Sequence, residues 1–197
     1  MNQREAFLKI FDKGVSYDKY VELTSNDKIK DKMQKHSEAT EKIIKSMDQE
    51  KLRRLNEKMK VLCIGENWCG DCTNAIPVLS KLVDSMENWD FAIAPKAPFE
   101  KELNLFYSTA GMQKIPMIIF ANDNGDEISR WVERPTRSYR LQADLEVLKL
   151  PEEEYKTKYK SYAELKVPGL TEEILRELVT TAERASALIQ FLLTKRS

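Results

Sequence analysis

Residues 61–77 read VLCIGENWCGDCTNAIP, an apolar run followed by two cysteines, Cys69 and Cys72, with two residues between them. The run 61–65 has the length of a buried strand, and the residues after Cys72 follow the spacing of a helix. Two thiols this close serve as a reversible disulfide, as half of a metal site, or as inert thiols in the core. The rest of the sequence has to distinguish these three uses.

Composition excludes several classes of protein. Among 197 residues, 32 Lys and Arg balance 32 Asp and Glu, so the chain has no net charge to attract nucleic acid or an anionic membrane. No apolar run approaches the roughly 20 residues that span a bilayer, and charges within residues 1–15 interrupt any signal-peptide core. We therefore expect a soluble, cytoplasmic protein without nucleic-acid or membrane partners. In a reducing compartment, a close cysteine pair is more often redox-active or metal-binding than structural.

Short apolar runs alternate with helical patterns in the middle of the chain. The spacing predicts strands at 61–65, 90–94, 117–121 and 127–132, and helices at 69–86 and 99–109. Residues 122–125, Asn-Asp-Asn-Gly, are typical of a hairpin turn between the last two strands. This order predicts an α/β fold with a mixed sheet covered by helices.

Both flanks of this region have helical patterns. We divide the chain into an N-terminal helical extension (1–59), a central domain (60–148) and a C-terminal helical extension (149–197). In the first extension, apolar residues at steps of three and four run through 29–43 and again through 52–59. In the second, Thr171 is predicted to cap the last helix, and the apolar end 188–193 is predicted to be core or a dimer contact.

The position of the cysteine pair bears on its reactivity. If Cys69 begins the helix that follows the first strand, its sulfur faces unpaired backbone N–H groups and the positive end of the helix dipole. Both favour the thiolate, and in such pairs the first thiol has a pKa of about 3.5 to 7.5 instead of about 8.5. Because the thiolate attacks in disulfide exchange, Cys69 is the predicted nucleophile. Cys72, less exposed within the helix, is the predicted resolving thiol.

Zinc is the alternative use of a Cys-x-x-Cys pair. Zinc usually takes four ligands, and beyond the pair the sequence offers only Cys63 and His36 as soft donors. Cys63 fits a small buried hydrophobe on a central strand, and His36 fits a packing or capping residue in a helical stripe. We therefore predict no metal, and no cofactor besides the two cysteines.

Two prolines strengthen the redox interpretation. Pro77 lies within the helical pattern after Cys72, where a proline kinks a helix. Pro116 follows Ile115 directly before the predicted strand 117–121. It is either an ordinary strand-start proline or a cis-proline beside the pair that offers the Ile115 backbone to an extended substrate.

Together these residues resemble the thioredoxin superfamily over about residues 58–140. Trp68-Cys69-Gly70-Asp71-Cys72 is similar to the WCGPC motif of that family, Pro77 to its helix-kinking proline, and 111–116 to its approach to a cis-proline. The chain is most similar to a bacterial thioredoxin-like group with WCGDC, a helical N-terminal extension and an Arg-Trp…Arg-Pro stretch, here 130–135. The resemblance implies a thioredoxin fold in which Cys69 and Cys72 are the redox pair, Trp68 shields them, and Ile115 and Pro116 shape a substrate groove.

Three features depart from that family. Asp71 replaces the usual proline between the cysteines, and its carboxylate is expected to repel the Cys69 thiolate, raise its pKa and make the pair at least as reducing as ordinary thioredoxin. Cys63 stands where the family has a buried aspartate that helps to deprotonate the resolving thiol, and Glu66, close in sequence, is our candidate for that task. The third departure is the helical material on both sides of the domain.

The sequence thus predicts a thiol–disulfide oxidoreductase that reduces protein or low-molecular-weight disulfides. Its electrons are expected from a separate reductase or a small thiol, since no nucleotide-binding glycine loop is present. Two alternatives stay open: a redox-responsive adaptor whose helical flanks hold a partner or form a homodimer, and a metal or iron–sulfur carrier bridged by a dimer. Turnover of a generic disulfide separates the enzyme from the adaptor, and bound metal identifies the carrier.

Overall fold

Four strands form one mixed sheet in the computed structural model, which describes residues 1–162 and 165–195. The strands are β1 (Met59–Ile64), β2 (Trp89–Ala94), β3 (Met117–Asn122) and β4 (Glu127–Val132). They lie in the order β2-β1-β3-β4, with β1 parallel to β2 and antiparallel to β3, and β3 antiparallel to β4. The predicted mixed sheet is therefore confirmed.

Helices precede, connect and follow the strands. They are α1 (Gln3–Phe11), α2 (Tyr17–Glu22), α3 (Asp27–Ser46), α4 (Gln49–Arg53), α5 (Gly70–Asp84), α6 (Glu100–Phe106), α7 (Thr136–Val147), α8 (Glu152–Ser161) and α9 (Gly169–Thr194). The predicted helix 99–109 is shorter in the structure, because α6 ends at Phe106, and a 3-10 turn, Ala97–Phe99, leads into it. Residues 163, 164, 196 and 197 of the predicted C-terminal extension lie outside the described ranges.

The sheet buries a core on each face, because successive side chains of a strand point to opposite sides. On one face, Val61 and Phe120 pack with residues of α3, α5 and α9. On the other, Leu62 and Ile119 pack with residues of α1 and α6. Helices from both predicted extensions thus complete the two cores, and the boundaries after residues 59 and 148 stay predictions.

The helical pattern predicted through residues 52–59 is wrong at its end. Helix α4 stops at Arg53, and Met59 is the first residue of β1, with Trp89 of β2 as its register partner. Leu55 is fully buried, and its carbonyl accepts a hydrogen bond of 3.0 Å from Nε1 of Trp89. The spacing of apolar residues in a short segment does not reveal pairing with a distant strand. At Met59, pairing with β2 prevails over the helical pattern.

The predicted start of the last helix is also wrong. Helix α9 begins at Gly169, so Thr171 lies inside its first turn and does not cap it. The hydroxyl oxygen of Thr171 lies instead 2.8 Å from Nδ1 of the fully buried His36. Burial lowers the pKa of His36 to about 4. His36 is a packing residue that joins α3 to α9, in agreement with its predicted role.

The apolar C-terminal end is not core. Within 188–193 only Ile189 is buried, whereas Phe191 and Leu193 are 51% and 57% exposed. A helix turns one side toward a core, and here that is the side of Ile189. The core prediction is therefore wrong for this segment, and the dimer contact stays a prediction. In the part of the chain that the structure describes, no helix has both the length and the hydropathy to cross a bilayer.

The hairpin predicted at residues 122–125 connects β3 to β4. Gly125 has a φ of 85°, in the left-handed region that glycine adopts readily. A Cβ at this position would lie 2.8 Å from Cγ and Cδ2 of Leu8 on α1. Glycine is thus required here both by the turn and by the close approach of α1.

We expect Gly125→Ala to lower the free energy of unfolding by about 2 to 5 kcal/mol, the sum of a left-handed backbone and overpacking against Leu8. Gly111→Ala is the matched control, because Gly111 has a φ of 74° but no atom within 4 Å of an added Cβ. It should lose only about 1 to 2 kcal/mol. Urea denaturation measures both losses, and equal values would show that Leu8 moves aside without cost.

Candidate active site

The two cysteines lie at the N-terminus of α5. Cys69 is the N-cap residue, directly before the first helical residue, Gly70. The backbone N–H of Cys72 donates a hydrogen bond to Sγ of Cys69 over 3.3 Å. The sulfur thus takes the place of a capping oxygen and faces the positive end of the helix dipole. The structure describes all three cysteines as free thiols.

These surroundings lower the pKa of Cys69 to about 7. The largest cause is the hydrogen bond from the Cys72 thiol; burial opposes it, and the backbone N–H of Cys72 adds to it. The Asp71 carboxylate raises the pKa, as expected, but by less than Cys72 lowers it. The repulsion from Asp71 therefore acts in the predicted direction, and the net shift is downward because the donors at the helix terminus outweigh the neighbouring carboxylate.

Cys72 is the inner thiol of the pair. It is fully buried while Cys69 retains 9% exposure, and burial followed by the neighbouring Cys69 raises the pKa of Cys72. The backbone N–H of Glu66 points to Sγ of Cys72, with nitrogen and sulfur 3.5 Å apart. A Cβ on Gly65 would lie 3.3 Å from that sulfur, so this loop packs directly on Cys72. Of the two thiols, only Cys69 is open to an incoming molecule.

The segment before β3 lies against Cys69. The Ile115–Pro116 peptide bond is cis, and the Cys69 thiol donates to the Ile115 carbonyl oxygen over 3.7 Å. The structure therefore brings the suggested cis-proline and the cysteine pair together. Trp68, which precedes Cys69 in the chain and was expected to shield the pair, is 70% exposed, and its shielding role stays a prediction.

The Glu66 carboxylate accepts a hydrogen bond of 2.8 Å from the backbone N–H of Lys96, and the Glu66 backbone N–H is the group that points to Sγ of Cys72. The role suggested for the carboxylate in deprotonating Cys72 stays a prediction. Cys63 is fully buried and burial raises its pKa, as fits a core thiol. Across the described residues, His, Cys, Asp and Glu side chains do not gather in threes that would hold a metal ion.

The structure adds a residue whose role the sequence did not reveal, Arg134. Its Nη2 lies 2.6 Å from Oδ2 of Asp71 and 2.8 Å from Oε1 of Glu133. The Arg-Pro dipeptide at 134–135 is visible in the sequence, but Asp71 lies 63 residues away along the chain. The sequence around either residue therefore does not show that Arg134 and Asp71 lie side by side.

The N-terminal extension also borders the site. Nδ2 of Asn67 donates to the carbonyl of Leu23, after α2, over 3.0 Å. Tyr20 of α2 is buried in the same core as the three cysteines, and burial, with added repulsion from the nearby thiols, raises its pKa. Lys32 of α3 interacts electrostatically with Asp71. The extension is therefore part of the wall of the site.

Comparison with known proteins gives a family match and two structural neighbours. The sequence profile of the family described as Thioredoxin matches residues 14–146. An HIV epitope scaffold has a TM-score of 0.64 at 18% identity, over 90% of this chain and 97% of that chain. A protein of unknown function from Pseudomonas aeruginosa has a TM-score of 0.60 at 18% identity, over 91% and 98%. These neighbours bear on the fold alone and, with the family match, confirm the predicted thioredoxin fold. Curated proteins give no significant match.

We expect the alkylation rate of Cys69 to rise with pH with a midpoint near 7, because the thiolate is the reactive form. Cys72→Ala removes the largest cause of the lowered pKa and should raise the midpoint by about one unit. Cys72→Ser is the matched control, since its hydroxyl still donates, and should remain closer to wild type. Iodoacetamide labelling across pH, with the adduct located by mass spectrometry, measures the midpoints. An unchanged midpoint in Cys72→Ala would contradict the assignment.

Proposed function

This chain belongs to the thioredoxin family, and we propose that it is a thiol–disulfide oxidoreductase that reduces disulfides through Cys69 and Cys72. One observation carries the proposal: Sγ of Cys69 lies 3.3 Å from the Cys72 N–H nitrogen and 3.7 Å from the Ile115 carbonyl oxygen. A nucleophile, the donor that activates it and the backbone of a cis-proline segment thus meet at one sulfur atom.

In the first step, the Cys69 thiolate attacks one sulfur of the substrate disulfide. A bond forms between Cys69 and that sulfur, the substrate S–S bond breaks, and the leaving sulfur takes a proton from solvent. A pKa of about 7 suits this step. It leaves a large thiolate fraction at neutral pH, while a still lower pKa reduces the nucleophilicity of the sulfur.

In the second step, Cys72 attacks Sγ of Cys69. In the free dithiol, burial raises the pKa of Cys72 most, followed by its hydrogen bond to Cys69 and the charge on Cys69. The mixed disulfide removes that charge and weakens that hydrogen bond, so Cys72 loses its proton more easily when it is needed. The backbone N–H of Glu66 stabilises the new thiolate. The attack forms the Cys69–Cys72 disulfide and breaks the bond between Cys69 and the substrate sulfur, which leaves as a thiolate and takes a proton from solvent, to which Cys72 gave its own. Two electrons have then passed to the substrate.

The proposed substrate is a disulfide in a protein or in a low-molecular-weight compound. The exposed ring of Trp68 beside Cys69 offers an apolar contact for an extended segment around a protein disulfide. We propose that electrons return from a separate cytoplasmic reductase or a small thiol, with the cysteine pair as the only redox group. A thiol pKa near that of thioredoxin, about 7, leads us to expect a reduction potential of about −270 mV.

Insulin reduction with a small dithiol as electron donor tests the proposal. Wild type should reduce many insulin molecules per protein molecule, because the pair is regenerated after each cycle. Cys69→Ser should lose this activity, and Cys72→Ser should stop at a mixed disulfide that mass spectrometry detects. Cys63→Ser is the matched control, since Cys63 is buried away from substrate, and should retain turnover.

A wild-type rate no faster than that of Cys69→Ser would overturn the proposal. If the pair is oxidised once per molecule and the protein then changes its binding partners without turnover, the redox-responsive adaptor is the better description.

A further inference from the structure

Asp71 places a carboxylate between the two reactive thiols. Burial raises the pKa of Asp71, and attraction by Arg134 opposes that rise. The two side chains are only 28% and 21% exposed, and Nη2 of Arg134 lies 2.6 Å from Oδ2 of Asp71. This is a charge-assisted hydrogen bond in partly buried surroundings, where solvent and salt screen it less than an ion pair at the surface.

A second set of contacts holds Arg134 in place. Glu133 accepts hydrogen bonds from Nη2 of Arg134 over 2.8 Å, from Nζ of Lys114 over 2.6 Å, and from the hydroxyl of Tyr139. The guanidinium of Arg134 also lies over the Tyr139 ring, 5.6 Å from its centroid. Arg134 is therefore fixed on two sides, by a carboxylate and by an aromatic ring.

The backbone at this point is unusual as well. Glu133 has a φ of 64°, in the left-handed region that residues other than glycine seldom adopt. Its N–H donates to the carbonyl of Pro116 over 2.7 Å, so the end of β4 is tied to the cis-proline segment. Such a backbone persists only when surrounding contacts hold it in place. Here the contacts of Glu133 also position the next residue, Arg134, beside Asp71.

Other ionisable groups face the ion pair from the packed elements. Lys32 of α3 attracts the Asp71 carboxylate and Glu133 repels it. Tyr139 of α7 and Tyr159 of α8 face Arg134. Of the two cations, Arg134 makes the hydrogen bond to the carboxylate. The effective charge that Asp71 presents to Cys69 therefore depends first on Arg134.

We propose that Arg134 is a positioning residue for the redox pair, which holds the Asp71 carboxylate in an ion pair and so cancels most of its repulsion on the Cys69 thiolate. The inference deepens the proposed function and rests on it for its meaning. The charge on Cys69 can nevertheless be measured in the reduced protein whether or not the protein turns over a substrate.

A double-mutant cycle between Arg134→Met and Asp71→Asn tests the proposal, with the pKa of Cys69 followed by the ultraviolet absorbance of its thiolate. In the wild-type background, Arg134→Met should raise the pKa by about one unit, which is about tenfold less thiolate at low pH. In the Asp71→Asn background the same change should shift it by less than about a third of that, because the carboxylate through which Arg134 acts is gone.

Two further variants serve as controls. Arg134→Lys keeps a cation near Asp71 and should restore most of the wild-type pKa, which a purely structural role would not predict. Arg130→Met removes another arginine, which pairs with Glu127 on β4, and should leave the pKa of Cys69 unchanged. A shift in Arg130→Met as large as that in Arg134→Met would overturn the proposal.

Equal shifts in the two backgrounds would also overturn it, because Arg134 would then act on the thiolate directly. No shift in either background would overturn it as well. If Arg134→Met does not fold, Asp71→Asn carries the test alone: a compensated carboxylate should alter the pKa by less than about half a unit, and a fall of one unit or more contradicts compensation. Failure of wild type to reduce insulin, with this cycle intact, would reject the proposed function and leave the charge compensation standing.

Discussion

The chemistry of this protein depends on the two donors of Cys72 that face Sγ of Cys69, its thiol and its backbone N–H. The backbone N–H is available because α5 begins at Gly70, which leaves the N–H groups of its first turn without acceptors inside the helix. The chain reaches this point from β1, an inner strand paired with β2 and β3. The sheet thus sets where the sulfur lies, and any shift of α5 relative to β1 separates the thiolate from its donors.

Helix α5 in turn depends on the helical extensions. Its inner side packs on the sheet, and it also contacts α3 and α9. Helix α9 is tied to β4 by hydrogen bonds from Trp131 Nε1 to Glu177 over 2.8 Å and from Ser129 to the carbonyl of Thr181 over 3.0 Å. Because α3 and α9 bury apolar side chains in this core, those side chains cannot also contact a partner. An adaptor role therefore has to use other surfaces, such as the exposed end of α9 around Phe191.

The features that the sequence predicts are those that a short stretch specifies. The apolar run of β3, the hairpin glycine, the Cys-x-x-Cys helix start and the proline before β3 are all of this kind. The predictions that were wrong involve contacts with residues distant in the sequence. Met59 belongs to β1 and pairs with Trp89, and Thr171 lies within α9 and contacts His36, 135 residues away. For Glu66, nearness to Cys72 in the sequence does not say whether backbone or carboxylate faces the sulfur, and in the structure the backbone N–H points to it.

Asp71 shows most clearly why a motif alone does not determine its own chemistry. Two unit charges 4 Å apart interact by about 4 kcal/mol at the effective dielectric near a protein surface, so a carboxylate between two cysteines is expected to raise a thiol pKa. A cation 2.6 Å from that carboxylate turns the single charge into a dipole, whose field falls off faster with distance. The donors of Cys72 then prevail, and the pKa of Cys69 falls to about 7. Arg134, which offsets the charge of the aspartate in this motif, lies outside the motif, after β4. Related chains with an aspartate here are therefore best compared by the cation that follows this strand, and not by the four residues between and including the cysteines.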